Sequence, residues 1–413
     1  VALIMSAAGS DVTDSAYVSM EVAGVPRQSS RAPRWLCAAI TGIAVVCGTS
    51  FMALLGLIDL PPLALASKAI IPHTGEYCAG SGAKIYSKTT LKTVAERTVS
   101  GLLTYTESLA ESKFEASDVI RVNDKYYVVC DSSWSILRLD HSLPLLSSDN
   151  EVIVPDSSFT PPDKDDSGFE AIMHDATHEG DFYIIRESVM HLETGDYHAS
   201  ILSVHISETF GTYEVVETCR SEFAFEGDSK GFEGATSLRG TDGVLYILGL
   251  CEGNYCSQSR GKEVGNGRVV VMSRSDGAED GCIWKTVTTL ALPKSVSFID
   301  YSAFAVHHST MSVALTSQEN SQLWVGQLSG GADGEFDPAT AAFSEGKIYD
   351  FPRTSGNCDV QYCNIEGVHW VSGHIGDKAP QMLVAVSDKM KSNGRQAATC
   401  FEKDQSVHLF TLP

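Results

Sequence analysis

Four glutamates and a serine recur along this chain at regular intervals. Glu115, Glu170, Glu233, Ser302 and Glu366 follow one another by 55, 63, 69 and 64 residues. Each opens a segment of one grammar: an aromatic or apolar residue, the acid or serine, a small residue, an alternating strand, a polar turn and a second strand. If the repeats are arranged about an axis, the four carboxylates meet. Like charges at such range repel by roughly several kcal/mol in a partly buried site. A hard divalent cation with oxygen ligands relieves that repulsion, and Ca2+ is the expected ion. Glu115, Glu170, Glu233, Ser302 and Glu366 are therefore candidate metal ligands. The alternative is that each Glu accepts backbone N–H bonds and caps its own repeat.

A second acidic set ends the second strand of each segment. Asp131, Glu187, Glu252, Glu319 and Asp388 follow the first set by 16, 17, 19, 17 and 22 residues. These are either ordinary turn residues or an acidic rim for a second cation or a basic ligand. Asp163-Lys-Asp165-Asp166-Ser-Gly168 begins like a calcium loop, but its twelfth position is His174 instead of Glu. No phosphate loop, HExxH helix or GxSxG elbow occurs. His307, His308 and His369 read as strand residues. Were the chain a hydrolase, Glu170 or Glu233 would be the base, and Arg186 the cation placed to meet a phosphate.

The elements that must position these groups are β-strands. After Asp59 helical periodicity is nearly absent, and short β-branched or aromatic runs alternate with Gly, Asp, Ser and Asn turns. Further strands are expected at Ser200–Ile206, Tyr213–Thr218, Arg268–Ser273, Leu323–Leu328 and Lys347–Phe351. Four strands in roughly 60 residues, repeated, describe a propeller blade. The expected fold is thus all-β: a β-propeller of five blades, with room for a degenerate sixth between Ala83 and Glu111. Ser406–Leu412 would close the ring by pairing with a strand near Ala83–Thr106, removing exposed edges. A pair of irregular β-sandwiches is the competing architecture.

Composition limits the partners. The 413 residues carry 30 Lys and Arg against 52 Asp and Glu, a net charge of −22, with 43% hydrophobic residues. That is enough apolar material for a sizeable core. The charge excludes nucleic acid as a main partner and favours cations or basic surfaces. Residues Leu36–Ile58 contain no charged residue, His or Pro. As a helix they would span about 34 Å, enough for a bilayer of about 30 Å. Arg27, Arg31 and Arg34 precede the span, and Asp59 is the first charge after it, so the N-terminal side is expected in the cytoplasm. The expected organisation is a disordered cytoplasmic tail over residues 1–35, a signal-anchor helix over 36–58, a linker over 59–82 and a propeller over 83–413. That domain would lie outside the cell or in a secretory lumen. A cleaved signal peptide is the alternative for the apolar segment.

Nine of the 11 cysteines follow the span. Cys251/Cys256 and Cys358/Cys363 each enclose four residues and read as local disulfides of an oxidising compartment. Nine being odd, at least one thiol stays free or pairs between chains.

The segments GFEGATSL…GVLYILGLCEGN, DYSAFAVHHSTMSVALTSQENSQLWVGQL and IEGVHWV…MLVAVSD…SVHLFTLP resemble blades of the SdiA-regulated and esterase-like phytase propellers. The resemblance spans most of Phe114–Pro413 and implies a propeller with a central calcium. More distantly, FEASDVIRVNDKYYVVCDSSWSIL is similar to a blade of the calcium-activated nucleotidases (apyrases). That likeness implies Ser117, Glu233, Ser302 and Glu366 near the ion. The chain departs from the family where Ser132 replaces a basic residue, and it lacks the family's phosphate-site segment. Two functions follow as expectations. One is a membrane-anchored, Ca2+-containing module binding a protein, glycan or small molecule. The other is a Ca2+-dependent hydrolase of phosphate esters or anhydrides.

Overall fold

The computed structural model describes residues 88–110, 114–162, 166–192, 195–208, 211–227, 231–276, 281–330, 336–354, 358–371, 382–389 and 398–413. They belong to one compact unit, Ile70–Pro413. The expected tail, the Leu36–Ile58 span, the linker and Asp163–Asp165 of the calcium-like loop lie outside the described residues. Among those described, no helix is long and apolar enough to cross a membrane.

The chain is all-β. β1 (Lys92–Thr98) precedes two short helices, α1 (Val99–Leu102) and α2 (Tyr105–Ala110). Strands then pair with their sequence neighbours in antiparallel meanders. The first is β2 (Ala116–Val122), β3 (Lys125–Cys130), β4 (Ser133–Asp140) and β5 (Glu151–Pro155). The second is β6 (Phe169–His174), β7 (Asp181–Met190), β8 (Tyr197–Ile206) and β9 (Thr212–Phe225). The third is β10 (Phe232–Arg239), β11 (Leu245–Cys251), β12 (Arg268–Asp276) and β13 (Cys282–Ala291). The fourth is β14 (Ala303–His307), β15 (Ser312–Ser317), β16 (Gln322–Ser329) and β17 (Ala342–Asp350). The last is β18 (Ile365–Val371), β19 (Met382–Ser387) and β20 (Ser406–Thr411), completed by β1 against β20. Short parallel contacts of β9 with β5 and β13 join the first three meanders into a 12-stranded sheet.

Burial sorts the strands within each meander. β2, β6 and β14 are almost wholly buried, whereas the fourth strands β17 and β13 alternate or lie open. Apolar side chains fill the spaces between meanders. One cluster joins the first and second through Ile136 and Phe182, the next the second and third through Ile185 and Phe232. Another joins the third and fourth through Leu248 and Phe304, and another the fourth and fifth through Leu323 and Trp370. The last packs Val384 and Val407 of the fifth against Val128 and Leu139 of the first. Each meander therefore buries both faces against neighbours, and the ring closes as the sequence predicts. This is β-propeller architecture, with no open sheet needing a cover.

Two expectations need correction. The region reserved for a sixth blade contributes, among the described residues, one strand and two short helices, and β1 completes the last meander. Cys358 does not pair with Cys363: Cys363 is bonded to Cys400, which lies in a 3-10 turn before β20, and Cys358 is in another disulfide. The polar loop around Asn364 carries Cys363 toward the closing strand, so a nearby cysteine in sequence is not the nearest in space. Cys251–Cys256 forms as expected, Cys219–Cys282 ties β9 to β13, and Cys130 is a buried thiol.

Candidate functional site

The first strand of every meander begins at the same place relative to the second. The amides of Asp131, Glu187, Glu252 and Asp388 donate to the carbonyls of Glu115, Gly168, Gly231 and Asn364 at 3.0, 2.7, 3.2 and 2.9 Å. Two residues further on, the ladder slips. The shifts fall between Ala116 and Asp118, Phe169 and Ala171, Phe232 and Gly234, and Ile365 and Gly367. The bulged residues are Ser117, Glu170, Glu233 and Glu366, and a bulge re-aims the side chain it carries. In the fourth meander Ser302 holds the equivalent place just before β14, its amide donating to Thr316 O at 3.0 Å.

The repeated position is thus filled by three glutamates and two serines. Glu115 stands two residues before the bulge, and its carboxylate pairs with Lys389 at 3.4 Å. Ser117 takes the equivalent position in the first meander. The spacing and the aromatic-acid-small pattern point to Glu115, the acid after Phe114, and no sequence signal marks the bulge.

Electrostatics brings the glutamates together. Burial pushes the Glu170 carboxyl well above the usual range, and the charges of Glu233, Glu187, Glu366 and Asp131 push it further. Asp131 is pushed up to about 6 by burial and by Glu115, Asp166 and Glu187. Asp131 and Glu187 of the second acidic set therefore lie near the first set. Ser302 is spent structurally: its hydroxyl contacts Thr316 Oγ1 at 3.0 Å and donates to Ile365 O at 2.7 Å.

The donor set suits a hard cation. Carboxylate and hydroxyl oxygens predominate, and Ser117 Oγ and Asp131 Oδ1 are buried with no hydrogen-bond partner. The spacing is open, however. Among the described residues, the group of three His, Cys, Asp or Glu whose ligand atoms all lie within 4.8 Å is Glu217, Cys219 and Cys282. Its cysteines are joined as a disulfide, which leaves them no thiolate for a metal. An ion among the glutamates would therefore complete its shell with water or draw the side chains inward.

Arg186 is committed elsewhere. Its Nε donates to Ser167 O at 2.6 Å, and its guanidinium lies 4.7 Å from the Trp134 ring centroid. Another arrangement escaped the sequence reading. Ser387 Oγ lies 3.0 Å from His408 Nε2, and His408 Nδ1 lies 3.0 Å from Glu96 Oε2. The order is that of a nucleophile relay, but His408 is fully buried and the Ser387 hydroxyl donates to Lys403 O. Its three residues belong to β1, β19 and β20, so it latches the closing strands.

No family model matches the sequence, and no curated protein matches it. Solved structures with distant likeness include a luciferin-regenerating enzyme, 9% identical with a TM-score of 0.38, over 77% of this chain and 95% of that one. An α-L-arabinofuranosidase from Lactobacillus brevis is 12% identical, TM-score 0.41, over 72% and 92%. An endo-arabinase from Bacteroides thetaiotaomicron is 11% identical, TM-score 0.36, over 76% and 95%. Likenesses this remote carry nothing about activity, and the propeller architecture stands on the strand pairings and the ring of cores.

Proposed function

We propose that this chain is a five-bladed, calcium-organised propeller that works as a binding module, presenting its acidic face to a protein, glycan or small ligand. Each meander is one blade. Calcium at the collar would be held by Glu170, Glu233 and Glu366 with Ser117 beside them, and would neutralise carboxylates that otherwise repel. The observation that carries the reading is the convergence of glutamates from three sequence-distant blades around the buried Glu170. The apolar Leu36–Ile58 segment supports tethering to a membrane with the propeller outside the cell or in a secretory lumen.

Binding is favoured over phosphoryl hydrolysis by the charge of the collar. Developing charge on a phosphoryl group needs cations around it. The largest electrostatic effects on Glu170 come from acidic groups, Lys389 pairs with Glu115, and Arg186 donates to Ser167 O and lies over Trp134. Melting the protein in EGTA and in Ca2+ tests the ion, since a ligand specific to the native state raises its stability. A clear rise in Tm with Ca2+ is expected, and an unchanged Tm would rule the central ion out. Incubation with a nucleoside diphosphate, phytate and a simple ester tests the activity. Ca2+-dependent turnover of any one would replace the binding reading with the hydrolytic one.

A further inference from the structure

Past the collar, the first strands of all five meanders enclose a cavity of about 430 Å3. None of the collar residues lines it. Asp118, directly after Ser117, does, and its two oxygens accept the Val119 amide at 2.8 Å and the Ile172 amide at 3.0 Å. Much of the wall is apolar, with Ile120, Met173, Phe304 and Val306 among the lining residues. Five basic residues also line this space: Arg121, His174, His307, His308 and His369.

The imidazoles form one group. Burial holds His369 down at about 3, with His308, His307 and Arg121 adding to the effect, while the Trp370 carbonyl opposes it. Burial likewise lowers His308, helped by His307 and His174. His369 Nδ1 sits 2.9 Å from Trp370 O and 3.3 Å from the Arg121 amide, and His307 Nδ1 sits 3.0 Å from Thr310 Oγ1. His174 Nε2 is buried with no hydrogen-bond partner. No three of these rings bring nitrogens within 4.8 Å of one another, so they do not form a metal shell. The acids nearest this end are already engaged. Asp124 lies 3.5 Å from Arg121, Asp175 is bound by Arg239 at 2.9 Å, and Asp181 by His205 at 2.8 Å. With Glu179, these are the negative groups facing His174 and Arg121.

We propose that this cavity is a second binding site, separate from the collar, which takes a small organic anion with its carboxylate among the imidazoles and Arg121 and its apolar body against the inner edges of the apolar clusters that line the wall. Its volume falls in the range of small-molecule sites, which pair apolar walls with a few convergent polar groups. An entering anion supplies the charge that lets a neutral imidazole take up a proton, so binding and protonation are coupled.

Calorimetric titration of the full chain with benzoate, and with the uncharged benzamide, tests this. Benzoate should bind saturably, and about tenfold more tightly at pH 6 than at pH 8, because proton uptake is linked to binding. Benzamide should bind more weakly and without that pH dependence. His308→Gln and Arg121→Gln should each weaken benzoate about tenfold, the worth of one charge-assisted hydrogen bond. Glu233→Gln should leave benzoate affinity unchanged, which separates this site from the collar. Equal affinity for the two probes, absence of saturable binding, or benzoate affinity indifferent to both His308→Gln and Arg121→Gln would overturn the assignment.

Discussion

A Cβ built on Gly367 would stand 2.7 Å from the Asp118 Cα and 2.8 Å from the Val119 nitrogen. Gly234 stands in the same relation to Phe304, whose nitrogen such a Cβ would meet at 2.6 Å. The residues after Glu233 and Glu366 are therefore where one first strand presses on the next, and glycine supplies the space at both. Backbone atoms cannot swing aside as a flexible side chain can. Gly367→Ala should cost about 1–3 kcal/mol, the range for overpacking, read as a lower denaturation midpoint. It should also shrink the rise in Tm proposed for Ca2+, because the adjoining collar is spread. An unchanged midpoint would mean the strands yield freely here.

Glu170 makes the collar a source of instability without an ion. Its carboxyl titrates well above the ordinary value of 4.5, and Asp131 at about 6 against 3.8. Raised folded-state values mean that the native protein holds these protons more tightly than the unfolded chain. In EGTA, stability should therefore fall as pH rises, for Asp131 across 3.8 to about 6 and for Glu170 above 4.5. Glu170→Gln removes that ionisation, so in EGTA at pH 8 the variant should melt above the wild type. With Ca2+ the order should reverse, since a proposed Ca2+ ligand is lost. Calorimetric melts of both proteins under the two conditions decide it; a variant less stable in EGTA contradicts the repulsion account.

Much of this was legible in sequence because the propeller repeats its own pattern. The alternating runs placed β8, β12 and β16, and Ser406–Leu412 announced the closing strand. What failed was whatever depends on one residue of register or on long-range proximity. The repeat spacing passes over Ser117, which only the nucleotidase likeness puts near the ion, since a bulge leaves no mark in composition. Cys363 bonds Cys400, whereas proximity in sequence favours Cys358. The histidines looked ordinary singly, because His174, His307 and His369 become neighbours only once three first strands surround one axis.

The disulfides should rank by the chain they close. Cys219–Cys282 spans 63 residues and Cys251–Cys256 spans 5. On the loop-entropy account these contribute about 4 and about 2 kcal/mol. Cys219→Ser/Cys282→Ser should therefore lower unfolding free energy about twice as much as Cys251→Ser/Cys256→Ser, as measured in urea under non-reducing conditions. The reverse ranking would point to native-state contacts of the short loop as the larger effect.

Closure of the ring depends on Glu96. From β1 it accepts the Tyr362 hydroxyl at 2.9 Å, faces His408 Nδ1 at 3.0 Å on β20, and meets Lys403 Nζ at 2.5 Å. Burial alone would raise its carboxyl, but the hydrogen bonds and charges of His408 and Lys403 outweigh that and bring it from 4.5 to about 2. A depressed carboxyl contributes stability that is fully present above the unfolded value, near 4.5, and lost as pH falls through about 2. The shift corresponds to a contribution on the order of 3 kcal/mol at neutral pH. Glu96→Gln should lose most of it at pH 7 and flatten the acid limb of the stability curve. The loss should be local, so hydrogen exchange should speed up across Lys92–Thr98 and Ser406–Thr411 while the strand pair β14–β15 keeps its protection. Uniform acceleration over all meanders would show instead that the latch holds the ring as one cooperative unit.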